Sequence, residues 1–172
     1  MFLLLETPLM NNIQIIFCAF LFFFFQLFLV DFLSLNLIRP DFLVVFILYL
    51  SVYKGKFYGI LSGFLLGYIS NLFGVGSLFG LEPLSLTIVG YLAGYLKNIY
   101  EKILPYTFHV LWILIVLFHF FLTSYFRFQN IYISDFSDFI RIWILSFLYT
   151  MLFIISLQFI YPLKEASHAE IP

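Results

Sequence analysis

Glu82 stands immediately before Pro83 at the start of an apolar stretch, and it is the acid of this chain placed at the edge of a hydrophobic segment. An ionisable residue at membrane depth points to function by default. A carboxylate at a helix N-terminus is also favoured by the helix dipole, and the residues weigh capping above ligand binding. Asn71 sits near the end of the preceding apolar segment, where its amide can bond across helices or hold the turn that follows. Together Asn71 and Glu82 form a possible polar pocket.

The remaining chemistry-bearing residues form no catalytic pattern. His109 and His119 are ten positions apart and do not match the i, i+4 spacing of a zinc pair, so they read as polar glue or interfacial residues. Ser62 and Ser70 lack a nucleophile-elbow context and a paired base. No glycine-rich phosphate loop follows a strand, and no acidic pair is set for acid–base work. The expectation is that the protein is not an enzyme and uses no metal or other cofactor. The single cysteine, Cys18, excludes an internal disulfide and a cysteine metal cluster, and reads as a small hydrophobe.

The elements that would position these residues are membrane helices. Of 172 residues, 64% are hydrophobic and 10% charged, against about 45–50% and about 25% in a soluble domain; mean hydropathy is +1.10. A net charge of −1 offers no basic face for nucleic acid, and membrane lipid is the expected surrounding. Met1–Met10 has no Lys or Arg, contains Glu6 and lacks a small-residue cleavage site, so the first hydrophobic segment is expected to be retained.

Hydropathy predicts an all-α polytopic protein of six transmembrane helices: Ile13–Val30, Asp41–Tyr53, Phe57–Phe73, Leu78–Leu96, Tyr106–Tyr125 and Phe139–Tyr161. Five is the alternative, if the second and third segments form a re-entrant hairpin. A bilayer core of about 30 Å needs about 20 helical residues, so the second segment borrows flanking residues or thins the bilayer. Pro40 restricts Arg39 and suits the first turn of a helix, and Gly74-Val75-Gly76-Ser77 reads as a turn. Residues 1–162 are read as a single integral membrane domain and 163–172 as a short cytoplasmic tail. With both termini cytoplasmic, Lys54, Lys56, Lys97, Lys102 and Lys164 lie inside and Arg39, Arg127 and Arg141 outside, a modest positive-inside bias. The loop Arg127–Asp138 is the longest polar connection, with Ser134 or Asp135 capping the sixth helix, and the largest surface for an extracytoplasmic partner.

Gly55, Gly59, Gly63 and Gly67 recur every four residues along one stripe, and Gly90 and Gly94 repeat the spacing on the fourth segment. Small residues let membrane helices approach closely. The stripe serves internal packing of the third and fourth helices in the favoured reading, and a partner's membrane helix in the other.

The order Arg39-Pro40-Asp41-Phe42-Leu43, Gly59…Gly63-Phe64-Leu65-Leu66-Gly67, Leu72-Phe73-Gly74…Leu78-Phe79-Gly80-Leu81 and Leu86-Thr87-Ile88-Val89-Gly90-Tyr91-Leu92-Ala93-Gly94 resembles the rod shape-determining protein MreD family, closely over about a third of the chain. Arg39, Pro40, Asp41, Asn71 and Gly80 fall in that motif; members often carry aspartate where this chain has Asn71, which keeps a hydrogen-bonding group and loses the charge. The resemblance implies a bacterial inner-membrane component of the cell-elongation machinery that binds the scaffold MreC, and through it links the actin-like filament MreB to the wall-building polymerase and transpeptidase. It also implies similarity in fold to the substrate-binding subunits of energy-coupling-factor transporters, which raises vitamin capture as a rival function.

Overall fold

The computed structural model describes residues 12–73 and 78–164. The expected turn at 74–77, the start of the chain and most of the 163–172 tail lie outside the described residues. Within them the chain is helical: α1 Asn12–Leu33, α2 Phe42–Lys54, α3 Lys56–Leu72, α4 Leu81–Ala93 continued by a 3-10 turn Gly94–Leu96, α5 Pro105–Arg127, α6 Gln129–Ser134 and α7 Phe136–Ile160. Three of these, α1, α5 and α7, are long and apolar enough to cross a membrane, and α2 and the α4 segment are shorter apolar helices.

The short α2 is the axis of the molecule. Val44, Val45, Ile47, Leu48 and Val52 are fully enclosed because α1, α3, α4, the 3-10 turn and α7 all pack on it. A helix that is apolar all round is one buried on every side. The outer surface is the reverse of a soluble protein's: Phe32, Phe159 and Ile160 are each more than four-fifths exposed. Apolar groups can cover such a surface only where the solvent is lipid, and the protein is a multi-pass membrane protein.

Side chains from three long helices set the depth at which α2 begins. The Phe42 N–H donates to Gln26 Oε1 of α1 at 2.8 Å, and the Asp41 N–H donates to Thr150 Oγ1 of α7 at 3.0 Å. His119 of α5 meets the Asp41 side chain at 3.1 Å. At about 1.5 Å per residue, roughly 10 Å of α1, 12 Å of α5 and 20 Å of α7 then continue past the start of α2. Tyr149 OH donates to the Leu33 carbonyl at 3.0 Å, and Trp143 Nε1 to the Leu117 carbonyl at 3.2 Å, which tie α7 to α1 and to α5.

Two features of the expected layout change. Gly55 does not belong to the α3 stripe: it joins α2 to α3 with φ +93°, its N–H donating to the Ser51 carbonyl at 2.8 Å. A left-handed backbone ends one helix and lets the next start within a residue. The connection Arg127–Asp138 is not an open loop. Arg127 ends α5 and six residues form α6, after which Asp135 caps α7 by accepting from Ser137 N (3.0 Å) and Asp138 N (3.2 Å). Ser134 closes α6 and takes no part in that cap.

Candidate functional site

Arg39-Pro40-Asp41 forms the floor and one wall of a polar well. Asp41 is the N-cap of α2: its Oδ1 accepts from Leu43 N at 2.9 Å and Val44 N at 3.1 Å, two of the donors that a helix start leaves without intrahelical partners. Its Oδ2 faces Nε2 of the fully buried His119 at 3.1 Å. One carboxylate thus starts the central helix and anchors α5 to it. Nδ1 of His119 is buried without a hydrogen-bond partner among the described residues.

The second acid is held in the same way. Glu82 lies in the first turn of α4, two residues after Gly80, which begins the helix with φ +95°. Arg127 Nη2 donates to Glu82 Oε1 at 2.6 Å; the two side chains are 23% and 9% exposed, respectively. Glu82 thus lies in the first turn of α4, where the helix dipole favours a carboxylate, and also meets the end of α5. Short charge-assisted contacts of this type are the strong ones, and leaving either charge alone in a buried site is costly.

Between these pairs lies a cavity of about 180 Å³. Its walls include Gln26, Val30 and Asp31 of α1, Arg39, Pro40 and Asp41 before α2, Phe73 after α3, Glu82 of α4, Thr123, Ser124 and Arg127 of α5, and Ser146 of α7, with Leu27, Leu37, Phe120 and Phe128 as apolar lining. It occupies the space that the overhanging turns enclose above the start of α2. At about 30 Å³ per water molecule it has room for roughly six. Lys54, Lys56 and Lys97 lie at the other end of the bundle, where Gly55 approaches the Lys97 side chain and Gly94 the Lys56 backbone.

The glycines form a seam between α3 and α4. A Cβ on Gly63 would lie 2.5 Å from the Leu86 carbonyl oxygen, one on Gly67 2.5 Å from Pro83 Cα, one on Gly94 2.5 Å from Lys56 Cα, and one on Gly59 2.6 Å from the Gly90 carbonyl oxygen. Gly90 in turn faces the Gly59 backbone. The helices therefore run antiparallel with backbones in contact, and this seam delivers Glu82 to the well. Gly80 meets nothing within 4 Å of an added Cβ; its requirement is the positive φ alone.

Asn71 is in the last turn of α3, and both polar atoms of its amide are buried without a hydrogen-bond partner among the described residues. It does not line the well, whereas Glu82 does. His119, expected as polar glue or an interfacial residue, bonds across helices to Asp41; Arg127 was expected at the edge of a loop, and its pairing with Glu82 was not foreseen. Alternating spans put the starts of the second and fourth segments at the same membrane end as the end of the fifth, which is the signal that could have paired them. Among the described residues, no group of three or more His, Cys, Asp or Glu could hold a metal ion.

A short buried central helix, a glycine seam and charges closed into pairs define an integral membrane protein built for helix packing around a small polar well. The model of the rod shape-determining protein MreD family matches residues 9–165, and the chain belongs to that family. Membership implies a role in rod shape determination, and the family is a shape-determining membrane family rather than a known enzyme family. No curated protein and no solved structure shows a significant match to the chain.

Proposed function

We propose that the protein is a non-enzymatic scaffold of the cell-elongation machinery in the bacterial inner membrane, binding MreC and helping to organise MreB and the wall-synthesis polymerase and transpeptidase. Family membership over residues 9–165 carries this reading. Its arrangement is six spans in one domain over residues 1–162, with both termini cytoplasmic, the lysine end inside and the well opening outward. The paired charges support it, since Asp41 and Glu82 are held by His119 and Arg127 in a way that stiffens a frame. The glycine stripes serve that frame and not the partner, because their faces are turned toward each other. Co-purification with the same organism's MreC in mild detergent tests the proposal: a stable complex is expected, and its absence with the folded protein would overturn it.

The well supports a second reading, capture of a small vitamin by a fold similar to energy-coupling-factor substrate subunits. Its volume of about 180 Å³ weighs against this, since small-molecule sites run to about 300–1,000 Å³. A thermal-shift screen against vitamins, with saturable stabilisation by any of them, would favour capture over the scaffold.

A further inference from the structure

The hydrogen bonds left free around the well describe what would complete it. Asp41 is saturated, its two oxygens taking Leu43 N, Val44 N and His119, and Glu82 is met by Arg127. The donors are less well served. Ser124 and Ser146 are each more than nine-tenths buried and line the well, and their hydroxyls have no partner among the described residues. Gln26 lines the well and uses its amide oxygen on Phe42 N, and no partner of its amide nitrogen is found among the described residues. Arg39, also in the lining, forms an ion pair with Asp31 at 3.9 Å, beyond hydrogen-bond distance, so among the described residues its five donors make no hydrogen bond.

We propose that the well is a carboxylate-binding site, in which Arg39 supplies the counter-charge at the mouth and Gln26, Ser124 and Ser146 donate hydrogen bonds from the walls. The guanidinium fork matches a carboxylate with two parallel N–H bonds. The lining holds three carboxylates, Asp31, Asp41 and Glu82, and two guanidiniums, Arg39 and Arg127, so the unspent donors rather than net charge carry this assignment. Asp41 is held by a helix start and the His119 hydrogen bond, and Glu82 by a helix start and the Arg127 guanidinium. Asp31 is 79% exposed and its charge is screened by water. Arg39 is then the cation with the loosest hold. At about 180 Å³ the well has room for a carboxylate on a short stem. The assignment rests on the cavity alone and is independent of the scaffold reading.

The test uses the full chain in lipid nanodiscs at constant ionic strength, with sodium propionate as the probe and propionamide as its neutral isostere. Saturable stabilisation is read by thermal unfolding and contact by saturation-transfer NMR. Propionate is expected to bind at least tenfold more tightly than propionamide. Arg39→Gln is expected to weaken propionate about tenfold, with Arg39→Lys intermediate and Ser146→Ala weakening it a few-fold. Equal behaviour of the acid and the amide, or an unchanged half-saturation in a folded Arg39→Gln variant, would overturn the proposal. A blocked peptide, acetyl-Gly-Glu-Gly-amide, separates the sources. Tighter binding than propionate upholds a carboxylate delivered by a protein segment, and weaker binding upholds a free small acid.

Discussion

Arg127 and Glu82 are the pair whose removal tests the architecture most directly. Glu82→Gln keeps the side-chain shape and leaves the guanidinium without its carboxylate. Breaking a fully buried pair by removing one partner costs about 3–5 kcal/mol. Arg127 is 23% exposed and opens into the well, so water can solvate the cation once Glu82 is neutral and the cost falls to about 2–3 kcal/mol. Arg127→Met strands the more buried carboxylate, and the expected cost rises to about 3–4 kcal/mol. The double variant strands neither charge and is expected to cost less than the sum of the two, by a coupling of about 2–3 kcal/mol. Reversible unfolding in mixed micelles with increasing dodecyl sulfate, followed by fluorescence of Trp112 and Trp143 on α5 and α7, measures all three. Additivity of the single costs to within about 0.5 kcal/mol would refute the coupling. An Arg127 variant clearly milder than the Glu82 variant would refute the burial argument.

Other expectations follow from the seam and the caps. Gly63→Ala places a Cβ 2.5 Å from the Leu86 carbonyl oxygen, so the overpacking cost of about 1–3 kcal/mol should outweigh the helix-propensity gain of up to about 1 kcal/mol; the same unfolding assay would show stabilisation if the seam were loose. Gly80→Ala has room but adopts φ +95°, and should cost about 1–2 kcal/mol, with Gly80→Asn recovering part of it because Asn tolerates the left-handed region. Asp41→Asn keeps a capping oxygen and loses the charge facing His119, so it should cost less than Asp41→Ala, which also forfeits about 1 kcal/mol of cap; equal costs would show that the cap contributes nothing. Ser146→Cys should react with a small water-soluble thiol reagent added from the well's side of the membrane, and inertness of a folded variant would mean that the well is closed.

The helices were legible because hydropathy is a local property. The segments Asp41–Tyr53 and Phe57–Phe73 differ by one residue at each end from α2 and α3, since Asp41 and Gly55 mark those boundaries in the sequence itself. The glycine spacing likewise named the residues of the seam, apart from Gly55, whose four-residue step looks helical although its backbone is not. The well was not legible. Asp41 and His119 are 78 positions apart and Glu82 and Arg127 are 45 apart, and no periodicity within one segment reports a contact between segments. α6 was missed for the opposite reason: its six residues are too few and too polar to produce a hydropathy signal.

The shortness of α2 presents a problem in hydropathy terms, because 13 residues span only about 20 Å of a core of about 30 Å. The packing removes the problem. α2 is wrapped by protein on every side, so its ends need not reach the membrane surface, and its first-turn donors are met by Asp41, Gln26 and Thr150 where no headgroup or bulk water is required. α1, α5 and α7 continue past that start and wall off a volume that lipid cannot enter. Such a volume must be filled by side chains or lined by polar groups that water can satisfy. This chain takes the second course and places Asp41, Glu82, Arg127 and Ser146 there. A short central helix and a polar well are therefore one design. Lengthening α2 at its start, by an insertion between Asp41 and Phe42, should separate the cap from His119 and Thr150. A variant that stayed fully folded with such an insertion would show that the depth of α2 is not set by those side chains.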